Sequence, residues 1–503
     1  MSTSTRKQVL ILGGGFSGLY TALGLEKTLA RDSDVQITLV NRENFSLFTP
    51  MLHEVAASDL DMTHIVNPVR KLLRRVQFFH GDVEHIDVTS KHVVVVHGPK
   101  RHSHELKYDY LVLALGATTN FFGLSELEHR AMTMKSLSDA IHLRNRLIDL
   151  LEEADFECAI GSRPNLLTII VAGGGFAGVE TIAAVKDFMR DSIRFYPHLS
   201  ADMVRAVLVH PGNVILPELG TKLGTYAHKK LAERKVEIRV NTKVVRVDQD
   251  AVELSDGSHI LTGTVIWTAG TSPNPLIATL PYKLNRGRIV ANEYLEVQDW
   301  PGVWALGDCA SILDPKTAQP YPPTAQHALR QGKTVAKNVT AAIRGGTKTR
   351  FSFSTLGLLA AIGRRSGVAN ILGINFSGFV AWFLWRTIYL SKLPRLEKKV
   401  ENGIIFRCVT HSGTVWGSGI SEKVVWWVVR QAAQKASIEK LAPHDLRRTC
   451  ARLCHSAGGE LEQIQFLLGH RSVETTERYL GSRQRIVHAV NDKLGIEPDA
   501  ATG

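Results

Sequence analysis

No Cys-x-x-Cys pair occurs in this chain of 503 residues. Its five cysteines, Cys158, Cys309, Cys408, Cys450 and Cys454, are scattered, and none stands in zinc-like spacing with histidines. A dithiol relay and the common zinc sites are therefore excluded, and no metal is expected. Cys450 and Cys454 lie four apart and would share a helix face as buried thiols. A catalytic Ser/His/Asp arrangement is also missing. The start lacks a charged n-region, an apolar h-region and a cleavage site, since an apolar strand is already under way at Val9. A cytoplasmic chain is the expectation. One-sided charge is missing from the last stretch: residues 401–503 carry 13 Lys+Arg against 11 Asp+Glu. Of the net charge of +12, +10 thus lies in residues 1–400. That excess suits anionic partners such as dinucleotides, acidic lipid or nucleic acid, without choosing among them.

At 44% hydrophobic and 21% charged residues the composition is that of a folded, globular protein. The length calls for roughly two to four domains. What the chain does have is glycine in a repeated pattern. "QVLILGGGFSGLYTALGLEKTL" reads as buried strand, glycine turn and helix, and "QITLVNRENF" as a second strand. "DYLVLALGATT" is a third apolar strand. The same order returns as "NLLTIIVAGGGFAGVETIAAV", "RAVLVHPG" and "GTVIWTAGTSPNPL", an internal duplication of one βαβ unit.

In each unit the glycines have separate tasks. Gly13 permits the tight turn, Gly15 lets the backbone approach a pyrophosphate, and Gly18 lets helix and strand pack closely. Gly173, Gly175 and Gly178 repeat the set. The helix N-terminus behind each turn offers N–H groups and partial positive charge to phosphates. Two such sites imply one tightly held flavin and one exchangeable nicotinamide nucleotide. The residue ending each second strand normally bonds a ribose hydroxyl. Here these are Asn41, with Glu43 two residues on, and His210. An acid at His210 would repel a 2′-phosphate, so the sequence leaves NADH and NADPH both open as donors.

Over residues 8–400 the chain resembles the type II NADH dehydrogenases, single-subunit NADH:quinone oxidoreductases of the two-dinucleotide-binding-domain flavoproteins. The resemblance is carried by "GGGFSGLYTA", "NFSLFTPMLHEVA", "VAGGGFAGVE", "WTAGTSPNP", "VWALGDCA" and "PPTAQHALRQG". It implies FAD in the first site, NADH in the second and a quinone as acceptor. By the same resemblance, Asp308 after Gly307 holds the flavin's ribityl chain, and Glu180 lies near nicotinamide and flavin. "AQHALRQG" resembles the family's AQxAxQ motif beside the flavin, where quinone docks. Gln326 matches its first glutamine, Arg330 replaces the second, and Gln331 comes one residue late. A cation at Arg330 could stabilise a reduced, anionic flavin or quinone. The implied mechanism has two steps, hydride from NADH to flavin and then two electrons to quinone, with no proton pumping. A sulfide:quinone oxidoreductase needs redox cysteines that Cys158 and Cys309 do not supply. A ferredoxin-type NAD(P)H reductase remains the alternative acceptor reading.

The run 371–390, "ILGINFSGFVAWFLWRTIYL", is long enough to span a bilayer. Asn375 and Arg386 argue against a spanning helix, while Trp382, Trp385 and Tyr389 suit a headgroup interface. A helix lying in the interface is expected. It would attach the protein peripherally to the inner face of the cell membrane, in reach of the quinone pool.

From residue 401 the character changes, and the chain resembles the C-terminal part of a tyrosine recombinase of the phage-integrase type. His444 and Arg447 form His-x-x-Arg, His470 follows in "LLGH", and Tyr479 in "TTERYLG" stands at the nucleophile's position. The logic is phosphoryl transfer by a tyrosine hydroxyl, with arginine neutralising charge and histidine handling protons. The resembling family also needs a second arginine, a hairpin lysine and an N-terminal DNA clamp, and these have no counterpart upstream. The tail is therefore expected to be inactive, with DNA binding confined to residues 401–503 and weak. The alternative is a recombination protein carrying a passenger flavoprotein. The expected fold is α/β: an FAD domain at 1–125 and 286–350, and an NAD(P)H domain at 126–285. A membrane and quinone region at 351–400 and a mainly helical fragment at 401–503 complete it. A homodimer is a further expectation.

Overall fold

Short apolar runs alternating with glycine turns and helices build two sheets of one design. The structure, a computed structural model, describes residues 6–156 and 161–392 and the strands Cys408–Val409 and Val415–Trp416. The first sheet runs, in spatial order, Val303–Ala305, Tyr110–Leu113, Lys7–Leu12, Val35–Asn41, Gln77–His80, all parallel. The second runs Met132–Thr133, Thr264–Trp267, Thr168–Ala172, Arg205–Val209, Val236–Arg239, again all parallel. Parallel strands are covered on both faces, which requires unbroken apolar sequence. Val9–Leu12 and Ile169–Ala172 supply it and are buried throughout. In both sheets the strand leading into the glycine turn is central. Its neighbours diverge there, and at such a switch point a crevice opens beyond the strand ends.

Each sheet also carries an antiparallel three-stranded appendage at the same place in its order. These are Asp82–Asp87, His92–His97, His102–Lys107 and, in the second half, Val244–Val247, Ala251–Leu254, His259–Leu261. The first sheet takes strands from residues 7–113 and again from 303–305, whereas the second is complete between 132 and 267. The pair Ala117–Thr119 and Thr271–Pro273 joins the two halves.

The helix Ala325–Arg344 packs on the first glycine helix, Phe16–Thr28, at very close range. A Cβ on Gly24 would lie 2.5 Å from Ala336 Cβ, and one on Gly332 would lie 2.4 Å from the Ser17 carbonyl. Gly345, at φ +74°, ends this helix in the left-handed conformation.

The run 371–390 is not one helix. It is split by a tight turn at Leu372 and Gly373, where φ is positive. A hairpin of Gly357–Ala361, Gly367–Ile371 and Ile374–Ser377 precedes the helix Gly378–Lys392. At 15 residues that helix is about 22 Å long, short of a ~30 Å hydrocarbon core. Among the described residues no helix is long and apolar enough to cross a membrane.

Residues Ile404–Gly503 form a separate compact unit. Within it, Cys408–Val409 and Val415–Trp416 pair antiparallel. His444, Arg447, Cys450, Cys454, His470 and Tyr479 lie outside the described residues, as does Cys158.

Candidate nucleotide and redox site

At the first turn, Gly13 has φ +101°, and a Cβ there would fall 2.2 Å from the Ala114 carbonyl oxygen. A Cβ on Gly18 would fall 1.8 Å from Gly13 O, so the helix can leave the strand this closely only through glycine. Around Gly15 a Cβ would meet nothing within 4 Å. That open side faces a helix whose N-cap has no side-chain partner, so its first N–H groups remain available. Such a cradle fits a pyrophosphate. Gly14 donates its N–H to Asn41 Oδ1 at 2.7 Å, and Asn41 Nδ2 donates to Glu43 O at 2.8 Å. Asn41 thus ties down the turn, while the Glu43 side chain is exposed.

The second turn repeats this arrangement with other side chains. Gly173 has φ +115° and crowds Thr268, a Cβ on Gly178 would fall 1.7 Å from Gly173 O, and the space around Gly175 is open. Gly174 N–H donates to His210 Nδ1 at 3.1 Å, as Gly14 does to Asn41. The N-cap of the second glycine helix, Phe176–Ser192, likewise has no side-chain partner.

Gly307, at φ +73°, brings its backbone against Ser17 of the first helix. Its N–H donates to Gln331 Oε1 at 2.8 Å. Burial raises the carboxyl of Asp308, against the pull of Lys135 and Arg288. A shallow cleft opens here, lined by Gly307, Asp308, Tyr321, Thr324, His327 and Gln331 among others. Gln326 Nε2 donates to Gly357 O at 3.1 Å, tying the helix start to the hairpin. Arg330 donates to Gln326 O at 2.9 Å, and its guanidinium stacks 3.9 Å above the Phe353 ring. Gln331 is buried at the Gly307 turn, so the glutamine that follows Arg330 has its own task. Cys309 is fully buried, and its thiol is pushed up to about 11, which leaves it inert rather than redox-active.

Glu180 sits in the first turns of the second glycine helix, 7% exposed. Its Oε1 accepts from Ala361 N at 3.1 Å and from Trp385 Nε1 at 3.2 Å, and Oε2 lies 3.7 Å from His53 Nδ1. Burial pushes its carboxyl up to about 8, only partly offset by those two bonds. Burial together with Arg386 pushes His53 down to about 3. The two therefore meet as neutral groups and not as an ion pair. His53 Nε2 is buried with no hydrogen-bond partner. Beside them Glu54 pairs through both carboxylate oxygens with Arg386. Burial raises Glu54 to about 7 while Arg386 pulls it down.

Trp385, expected at a headgroup interface, is instead fully buried and bonded to Glu180. Tyr389 packs on Trp385 and Phe48 with ring centroids 5.0 and 6.0 Å away. Phe379, Val380 and Phe383 hold the exposed face of that helix. Gln326 and Arg330 touch each other, while Glu180 is held at the far end of the strand Gly357–Ala361, roughly 13 Å along it. His53, Glu54, Gly14, Gly174 and Ala361 escaped the sequence reading. "TPMLHEVA" offered a signal for two of them, as a histidine and an acid inside an apolar helix. The middle glycines were legible in retrospect, since a Cβ there would fall 2.7 Å from Asn41 Cγ or 2.6 Å from His210 Cγ.

Residues 7–332 match the pyridine nucleotide-disulphide oxidoreductase family, and residues 387–485 match the phage integrase family. The type II NADH:quinone oxidoreductase of Mycobacterium tuberculosis is 31% identical over 411 residues, spanning 78% of this chain and 86% of the relative. The enzyme of that name from Staphylococcus aureus is 28% identical, covering 76% and 94%. Among solved structures, NDH2 of Plasmodium falciparum in complex with NADH superposes with a TM-score of 0.73. Identity there is 19%, with 79% and 96% of the two chains covered. The sulfide:quinone oxidoreductase of Aquifex aeolicus shares the fold at a TM-score of 0.60 and 16% identity.

Proposed function

The chain belongs to the pyridine nucleotide-disulphide oxidoreductase family, among its type II NADH:quinone oxidoreductases, and from that premise we propose how its residues divide the work. The protein is an oxidoreductase that oxidises NADH and reduces quinone. FAD is the flavin, held by Gly13, Gly15, Gly18 and Asn41 at its dinucleotide end and by Gly307 and Asp308 at its ribityl end. The open side of Gly15 and the uncapped helix behind it support that assignment. When bound, the flavin supplies two-electron chemistry between a hydride donor and a quinone. Gly173, Gly175, Gly178 and His210 hold the nicotinamide nucleotide.

Glu180 closes the second glycine helix over the redox region, protonated near neutral pH and screened from water by Trp385 and the hairpin. There it can hold a proton without placing a negative charge beside a reduced ring. Arg330, stacked on Phe353 and bonded to Gln326, sets a fixed positive charge at the start of its helix. That charge favours a reduced, anionic quinone over the neutral one.

The observation that carries this reading is the duplication itself. Two five-stranded parallel sheets, which share the order of their four inner and far strands and differ in the origin of the remaining edge strand, each end their central strand in a glycine cradle open at Gly15 or Gly175. The apolar face of Phe379, Val380 and Phe383, with Leu372 and Ile374 on the hairpin, supports peripheral contact with a bilayer, where quinone resides. The purified protein, mixed anaerobically with NADH, should lose its flavin absorbance and regain it on addition of a short-chain quinone. Bleaching without recovery would reject quinone as the acceptor, and a colourless protein would reject the flavin assignment.

A further inference from the structure

On the reading of the second glycine turn as the nicotinamide-nucleotide site, we propose that His210 makes the enzyme dual in its donor, accepting NADPH alongside NADH. In a turn selective for NADH, the residue after the second strand is a carboxylate. It bonds the ribose hydroxyls and repels a 2′-phosphate. His210 occupies that place, directly after the strand Arg205–Val209.

The geometry fixes what the imidazole can offer there. Nδ1 accepts the Gly174 N–H at 3.1 Å, so the ring proton belongs to Nε2. The Nε2 side turns back on its own loop, where a Cβ on Gly212 would stand 2.8 Å away. The ring also bonds the Val214 backbone, and burial keeps it below the ordinary imidazole range despite the pull of Glu218. The side chain is therefore neutral and already committed to the backbone. Asn41 holds the same relation to Gly14 in the first half. The fold's requirement, an acceptor for the second glycine's N–H, is met in both halves without a charge.

Neighbouring groups do not restore discrimination. Arg239, whose carbonyl accepts the His210 N–H, donates its guanidinium to Glu237 and lies 3.9 Å from Asp256. Glu218, a carboxylate that acts on the ring, is exposed, and solvent screens it. With no acid at the strand end itself, the turn favours tolerance of both nucleotides over a switch to NADPH.

The test uses the flavin-loaded full chain with NADH, NADPH and a short-chain quinone. Binding of 5′-ADP and 2′,5′-ADP to the wild type is measured in parallel. The wild type should show kcat/KM for NADPH within about tenfold of NADH, and a similar ratio for the two ADP fragments. In His210→Glu the NADPH:NADH ratio should fall at least ~30-fold. In His210→Asn, which keeps an acceptor for Gly174, it should stay within ~3-fold of wild type. Turnover of NADH with more than about hundredfold discrimination against NADPH would overturn the proposal. So would an unchanged ratio in a folded His210→Glu. Should His210→Glu not fold, the wild-type fragment affinities and His210→Asn decide the matter. Turnover of neither nucleotide would overturn the donor reading itself, and this proposal with it.

Discussion

Two glycines in one turn can be essential for opposite reasons, and substitution separates them. Gly175 faces open space, so Gly175→Val adds bulk without a clash inside the protein. It should leave the melting temperature within about 2 °C of wild type while raising KM for NADH at least tenfold, because the pyrophosphate loses its close approach. Gly178→Val drives its Cβ into the Gly173 carbonyl and should reduce soluble, folded protein instead. Equal thermal losses in both variants would sink the distinction. Glu180 gives a second prediction. Its folded carboxyl titrates near 8 against an ordinary 4.5, so between those values the folded state binds more protons than the unfolded state. Stability contributed by this group is full at low pH and falls as pH rises through that window. Glu180→Gln removes the dependence. Relative to wild type it should gain stability from pH 5 to pH 8, on the order of a few kcal/mol. Chemical denaturation at the two pH values measures the difference, and a parallel offset at both would show that Glu180 is ionised in the fold.

The helix Gly378–Lys392 shows what a partner does that periodicity alone cannot show. Ala381 and Trp385 are fully buried, with Ile388 and Tyr389 packed beside them, a stripe at helical spacing toward the core. Its opposite face is also apolar, so sequence alone does not say which tryptophan turns inward. Arg386 flanks the buried stripe and is held by Glu54, 332 residues away in sequence. Arg386→Met would leave Glu54 buried without its partner and hold a carboxyl already raised to about 7 in its protonated form, so the loss of stability by urea denaturation should be larger at pH 8 than at pH 5. Adding Glu54→Gln removes the buried acid and should return most of the loss seen at pH 8. Strictly additive losses would mean the two do not act as a pair. The glycine turns and parallel sheets were legible because each is written within some thirty residues of local pattern. The surroundings of Glu180 were not legible. Its neighbours His53, Ala361 and Trp385 come from three distant segments, and no local period records that they converge.

Across the whole chain, the two family matches stand apart: the oxidoreductase match ends at residue 332, and the integrase match begins at residue 387, just past Arg386 and within the helix Gly378–Lys392. The hydrogen bonds to Glu180 and to the glycine turns all come from residues before that point. By its resemblance to the integrases the tail offers Tyr479 at the nucleophile's position, with His444, Arg447 and His470, and no counterpart to the family's second arginine and hairpin lysine is recognised in the sequence. Losing a single donor to a developing oxyanion typically costs about 10²–10³-fold in rate, and here two cations are missing. The weak net charge of residues 401–503, +2 from 13 basic and 11 acidic side chains, also gives little hold on a phosphate backbone. Incubated with supercoiled plasmid at low salt, the full chain should form no detergent-resistant protein–DNA adduct and leave the topology unchanged. Tyr479→Phe should leave NADH:quinone turnover within about twofold of wild type, since that residue lies outside every group assigned to the redox site. An adduct that forms with the wild type and vanishes in Tyr479→Phe would show that the tail retains its chemistry, and this chain would then have to be read as an enzyme of two reactions.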